Sequence, residues 1–265
     1  MRFKLPRGRR GEPEPSPNLD DVLREVRKAL RHQDNIFLRM QGLTALYEFL
    51  PLRNVLPLIP RASGAGSPVL LHRLVSDIMA VRARQGLECG SGVSTLIGGY
   101  AIELLGTGGR WTALEHDPIW HRRVTEWVCE HGLSETVEVV YAPLTEHELR
   151  GSPGERFEWY DVSRLKLSHP AQVLLIDGPP GQRNPNARYP AAHLLQGFVA
   201  DGARAIVDDY SRQGERNMVK SWLRDGLISD VSTLPTAKGI AVGYLHSHRE
   251  TIEALRHQRE AGLDR

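Results

Sequence analysis

From about residue 86 the chain alternates short apolar runs with longer stretches of helical period, and this alternation restricts the fold more than any other feature. Strands are read at Gly86 to Cys89, Trp111 to Glu115, Val137 to Tyr141, Val173 to Ile176 and Ala205 to Val207. Helices fit between or after them at Val93 to Leu105, Pro118 to His131, Pro190 to Phe198 and Glu215 to Asp225. Successive strands joined by helices run parallel, because each connection must cross back over the sheet, and the helices then cover both faces. The last two runs, Ile228 to Leu234 and Ile240 to Leu245, are joined only by PTAKG, so they read as an antiparallel pair.

At 265 residues, 40% hydrophobic and 25% charged, the chain can bury one substantial core, which fits one large domain with an appendage. The formal charge of +2 conceals a basic start at Arg2, Lys4, Arg7, Arg9 and Arg10, and the remainder is slightly acidic. Bulk charge therefore gives no case for nucleic acid. Residues 1–17, which run through GEPEPSPN, lack periodicity and apolar mass and read as a disordered tail. No apolar stretch follows the arginine pair as a secretion signal would require, and no run is long enough to span a membrane. Cys89 and Cys129 are too few for a disulfide framework and lack metal-ligand spacing, which suits a reducing compartment, by default the cytoplasm.

Residues 18–59 read as a helical appendage. Val22, Leu23, Val26 and Leu30 mark one apolar face; Ile36, Phe37, Met40, Leu43, Leu46, Tyr47 and Leu50 mark another, ended by Pro51. Packing on the main domain is the simplest use of these faces, and a homodimer interface is the alternative. The main domain spans residues 60–265, with a small-residue loop at PRASGAGSP and a helix over Leu70 to Arg84 before the first strand.

LECGSGVSTL, residues 87–96, links the first strand to its helix. Gly90 and Gly92 permit a tight turn and close backbone approach, with Ser91 between them and Ser94 at the start of the helix. The second strand ends in ALEHDP, which places Glu115 where a carboxylate accepts hydrogen bonds from both hydroxyls of a ribose. A dinucleotide site wants a third glycine where Thr95 stands, and Glu88 at the mouth of the turn would repel a diphosphate. A ligand with a cationic amino acid end and no phosphate, such as S-adenosylmethionine, suits Glu88 better. LLIDGPPG, residues 174–181, carries Asp177 out of an apolar strand, which Gly178, Pro179 and Pro180 then terminate.

The stretches LECGSGVSTL, ALEHDPIW, VVYAPL, WYDVSRL, LLIDGPPG, ARYPA and IVDDYSR, in this order, resemble class I S-adenosylmethionine-dependent methyltransferases. The likeness is strongest to the bacterial branch grouped with small-molecule and glycan O-methyltransferases, and it covers roughly residues 60–246. It implies a Rossmann-like α/β fold whose seven-stranded sheet has the order 3-2-1-4-5-7-6, the seventh strand antiparallel. It also implies that the methionine end of the cofactor lies against Glu88, Gly90 and the backbone of residues 92–94, and the ribose on Glu115 beside His116. Where relatives hold the adenine with an acidic residue, this chain has Ala142, Pro143 and Leu144, which offer backbone and apolar contact only.

In the implied order the fourth and fifth strands are neighbours, so Asp177 faces Asp208 and Asp209. Three converging carboxylates repel unless something positive lies between them. Two readings follow. Either all three hold Mg2+, or Asp177 or Asp208 is a general base while another aspartate caps a helix or pairs with Arg183, Arg188 or Arg212. The loop GQRNPNARYPA reads as a lid in which Arg188 and Tyr189, with Tyr210 nearby, meet an anionic or sugar-like acceptor. The expected activity is methyl transfer to a hydroxyl; an NAD(P)-dependent oxidoreductase and a non-catalytic S-adenosylmethionine-binding protein are the competing readings.

Overall fold

The computed structural model describes residues 41, 44–57, 66–149, 155–181, 184, 186–236 and 238–247. All of these belong to one compact unit, Leu38–Arg265. The expected basic tail and the helix beginning near Asn18 lie outside the described residues, as do Arg183 and part of the small-residue loop.

Helical residues 44–49 (α1) stop before Pro51, where the chain loses an amide donor. Leu46, Leu50 and Leu56 from this segment are buried in the same apolar cluster as Leu70, Leu74, Ile97 and Trp111 of the main domain. Arg53 secures the segment by donating to the backbone oxygens of His131, 2.9 Å, and Gly132, 3.1 Å. α2 (Pro68–Val81) begins at Ser67, whose hydroxyl accepts from Leu70 N at 3.2 Å. It ends earlier than the predicted Arg84, because Arg82 takes a left-handed conformation, φ 49°, that turns the chain toward the sheet.

The main sheet holds β1 (Gln85–Cys89), β2 (Arg110–Glu115), β3 (Val137–Tyr141), β6 (Ala171–Ile176), β7 (Val199–Val207), β8 (Ile228–Leu234) and β9 (Ile240–Leu245). Their order is β3-β2-β1-β6-β7-β9-β8, and β9 runs antiparallel to both β7 and β8. Counted within this sheet alone, that is the 3-2-1-4-5-7-6 order implied by the sequence. Alternate residues of the central strands feed opposite cores. Val173, Leu175 and Ile206 join the cluster under α2, α3 (Val93–Leu105) and α4 (Pro118–Glu130). Leu174, Ile176 and Val207 join the one under α5 (Ala191–Leu194) and α6 (Gln213–Arg224).

Beyond the end of α2, the chain differs from the sequence reading at three places. β4 (Leu144–Glu148) and β5 (Arg156–Tyr160) pair as a separate antiparallel ribbon, with Leu144 opposite Tyr160. The predicted helix over Pro190 to Phe198 is only the four residues of α5, because the chain turns at Gly197 to enter β7 at Val199. β7 in turn starts six residues before the predicted Ala205, its first half hidden from pattern reading by the exposed Asp201 and Gly202.

Candidate cofactor and active site

Strand register builds the site. Cys89 lies level with Leu114 on one side and Ile176 on the other, and Ile176 lies level with Val207. The next residues, Gly90, Glu115, Asp177 and Asp208, therefore stand in a row at the carboxyl edge of the sheet. β1 leads to β2 on one side and borders β6 on the other, so the row crosses the switch point where α/β sheets bind ligands. Gly90 adopts φ 95°, and its Cα lies so close to Gly178 that a Cβ on Gly178 would come within 3.0 Å of it and within 2.3 Å of the Tyr160 hydroxyl. Both positions need glycine, one for its dihedral and one for space.

Glu88 is buried, and its carboxylate is held by neutral donors. Ser94 Oγ donates to Oε1, while Thr95 Oγ1 and Trp111 Nε1 each donate to Oε2 at 2.9 Å. The Trp111 ring reaches this position by filling the space over Gly86 and Gly98, where a Cβ would meet it within 2.0 and 2.5 Å. Thr95 Oγ1 also accepts from Gly92 N at 2.9 Å, so the first turn of α3 is capped from within. Burial raises the Glu88 carboxyl to about 7, against the pull of its three donors.

Glu115 forms a second anchored corner. Its Oε2 accepts from Ser91 Oγ at 2.7 Å and its Oε1 from Asp117 N at 2.9 Å. His116 Nδ1 lies 3.1 Å from Oε1, an ion pair when the imidazole is protonated. That carboxylate raises the imidazole above its ordinary range, opposed by burial. Asp117 then caps α4 by accepting from Ile119 N and Trp120 N, both at 2.8 Å, and Trp120 Nε1 donates to Ser91 O at 2.8 Å.

A cavity of about 380 Å³ opens over these residues. Of the residues predicted for the cofactor, Glu88, Gly90, Ser91, Gly92, Ser94, Glu115, His116 and Asp177 line it. Ala142, Pro143 and Leu144 do not; Ala142 is fully buried in the second core and Leu144 opens the β4–β5 ribbon. Tyr160, Asp117 and Trp120 are among the other residues of the wall. Tyr160, which with Trp159 reads from the sequence mainly as packing on the sheet edge, has a buried hydroxyl with no hydrogen-bond partner among the described residues, and its ring meets His116 edge-on at 6.0 Å. Only the fold could reveal this, since the residue arrives from the unpredicted ribbon.

Asp177, Asp208 and Asp209 bring carboxylate oxygens within 4.8 Å of one another. Asp177 alone of the three lines the cavity; Asp208 is fully buried, and Asp209 holds φ 59°, a left-handed conformation costly for most residues. Burial raises Asp177 well above the carboxylate range, with Arg188 pulling the other way, and burial likewise raises Asp208. Arg188, expected in a lid facing the acceptor, points inward and is 4% exposed. Its Nη2 lies 3.0 Å from both Asp177 Oδ1 and Asp209 Oδ2. Arg212 Nη1 lies 3.0 Å from Asp209 Oδ2, and Lys238 Nζ is 3.7 Å from Asp209 Oδ1 and 3.9 Å from Asp208 Oδ2. Mg2+ would need oxygen ligands at about 2.0–2.1 Å in the space that Arg188 Nη2 fills. The cluster as built does not fit the ion.

Tyr189 and Tyr210 do not line the cavity. Tyr189 packs against Phe157 and His193, with ring centroids 5.5 and 4.9 Å away. Tyr210 packs on the second core. Cys89 is fully buried, where burial pushes its thiol up and away from nucleophilic use.

No protein-family model and no curated protein matches the chain. Solved structures do. An O-methyltransferase from Bacillus cereus in complex with SAH aligns at TM-score 0.51 and 18% identity, over 78% of this chain and 89% of that one. The SAH-bound methyltransferase PaMTH1 of Podospora anserina aligns at 0.54 and 14%, over 89% and 100%. The O-methyltransferase TomG of Streptomyces achromogenes, involved in tomaymycin synthesis and in complex with SAM, aligns at 0.50 and 16%, over 78% and 89%. At these identities the likeness concerns the fold, and with the observed sheet order it identifies the Rossmann-like fold of class I S-adenosylmethionine-dependent methyltransferases.

Proposed function

We propose that the chain transfers the methyl group of S-adenosylmethionine to a hydroxyl of a small-molecule or sugar-like acceptor. One observation carries this reading: one cavity joins Glu88 and Glu115, each accepting from neutral donors, to a third carboxylate, Asp177, along the same edge of the sheet. Burial raises Glu88 to about 7, so a cationic ligand seated beside it would draw it into its ionised form, while the spare lone pairs of Glu115 can accept from hydroxyls. Glu88 then receives the ammonium of the methionine end, and Glu115 receives the ribose with His116 at its side.

A bound sulfonium supplies the methyl group and a good leaving group in one molecule. The protein's tasks are to align the acceptor and take its proton as the new carbon–oxygen bond forms and the carbon–sulfur bond breaks. Asp177 is the proposed proton acceptor, since burial raises its affinity for a proton and its side chain borders the cavity. Asp208, fully buried, serves that acceptor only at one remove. Diphosphate ligands are disfavoured by Glu88 and by the Gly92 amide, which Thr95 already occupies. No helix among the described residues is long and apolar enough to cross a membrane. We place the protein in the cytoplasm with a soluble acceptor.

Methyl-labelled S-adenosylmethionine incubated with a panel of phenol, hydroxy-acid and sugar acceptors tests the reading, with amines and thiols as controls. Label in the hydroxyl compounds is the expected result. Label in amines or thiols alone would overturn the choice of oxygen.

A further inference from the structure

We propose that Arg188 is the resident cation of the Asp177, Asp208 and Asp209 cluster, standing where a divalent ion would otherwise sit, so that this site works without metal and Arg188 positions Asp177. The geometry is that of a built-in part rather than a passing contact. Arg188 Nη2 donates to Asp177 O at 2.9 Å and Oδ1 at 3.0 Å, and to Asp209 Oδ2 at 3.0 Å. Nη1 donates to Asp208 O at 3.1 Å, and Nε to Pro179 O at 3.4 Å. One buried side chain thereby ties the ends of β6 and β7 together through both backbone and carboxylates. A planar guanidinium presents five donors in a fixed fork, which suits such a mixed set, whereas a metal ion would want oxygens converging on one point.

The charges agree. Arg188, Arg212 and Lys238 approach the three aspartates, and Arg212 also lies 3.5 Å from the buried Glu215. Among the described residues the four carboxylates already face three cations, so the cluster has its positive partners without a divalent ion. An ion in this space would take the carboxylates from Arg188, and at 4% exposure the guanidinium would be left buried without its partners.

The positioning role rests on the reading of Asp177 as the acceptor-facing carboxylate; the absence of a metal does not, and the test separates the two. Electron paramagnetic resonance of free Mn2+ is followed as the full-length protein is added, for wild type, Arg188→Met and Arg188→Lys. Wild type and Arg188→Lys are expected to leave the free-ion signal intact, with a thermal midpoint indifferent to chelator, while Arg188→Met, its cation removed, takes up about one equivalent. Stoichiometric Mn2+ uptake by wild type, lost on Asp209→Asn substitution, would overturn the proposal; so would a folded Arg188→Met that binds none. Should Arg188→Met fail to fold, the wild-type and Arg188→Lys titrations decide alone. For the positioning role, Arg188→Lys should keep KM for S-adenosylmethionine and lose kcat, and an unchanged kcat would contradict it.

Discussion

The cavity is bordered by two carboxylate groups that are stabilised by opposite means. At the ends of β1 and β2, Glu88 and Glu115 are held by hydroxyls, an indole, an amide and a histidine. At the ends of β6 and β7, the three aspartates are held by Arg188, Arg212 and Lys238. Neutral donors satisfy a carboxylate's hydrogen bonds and leave its charge for a ligand; fixed cations cancel the charge and leave geometry. The first pair is thus suited to capture a cationic cofactor, and the second to hold one carboxylate, Asp177, in place.

The contrast can be broken at either end. The largest effect is expected from Asp177→Asn, which removes the proton acceptor while keeping shape: kcat should fall by about 10²–10⁴-fold with S-adenosylhomocysteine affinity within about threefold. Equal losses in both would put Asp177 among the binding groups instead. Next in size is the pH dependence carried by Glu88. Its folded value of about 7 lies above the ordinary 4.5, so between these values the folded state holds more protons than the unfolded chain. Its contribution to stability is complete below about pH 4.5 and is lost as the pH rises to about 7, a change on the order of a few kcal/mol. Glu88→Gln should flatten the denaturation profile over that window relative to wild type; parallel profiles would mean that Glu88 ionises freely.

Glu115→Ala should weaken S-adenosylhomocysteine binding by about 1.5–3 kcal/mol, measured by calorimetry, because charge-assisted bonds to a ribose are lost. Adenine alone should bind both proteins equally, and a matching loss for adenine would assign Glu115 to the base. The smallest effect belongs to Ser91→Ala, which frees Glu115 Oε2 of one donor at 2.7 Å. A change of no more than about 1 kcal/mol in affinity is expected; a loss as large as that of Glu115→Ala would make the hydroxyl itself a ligand contact.

Much of this contrast was legible in the chain. The alternation of runs led to a mainly parallel sheet with an antiparallel last pair, the resemblance to class I methyltransferases supplied its order, and with that order the strand ends put Glu88, Glu115 and Asp177 at one edge. What escaped were features decided by distant partners. Tyr160 reads locally as an apolar neighbour of Trp159, and its exposure to the cavity depends on the ribbon that pairs it with Leu144. Arg188 reads from the sequence either as a lid arginine or as a partner of the aspartates; the structure bears out the second, and the choice between them is set by carboxylates 11 and 21 residues away. Periodicity reports which face of an element is apolar, and a loop has no period to report. Residues 44–50 show the same limit: their apolar spacing predicts a helix ended by Pro51, but the burial of Leu46 and Leu50 in the cluster of Trp111 and Tyr100 depends on β2 and α3.

The central claim is that Glu88, held by neutral donors, and Glu115, held by neutral donors beside the titratable His116, make this cavity a site for S-adenosylmethionine. Calorimetric titration with S-adenosylhomocysteine and, separately, NADH, each with magnesium and with chelator, tests it most directly. Micromolar binding of S-adenosylhomocysteine alone, equal in both buffers, is the predicted result. Binding of NADH in its place would contradict it.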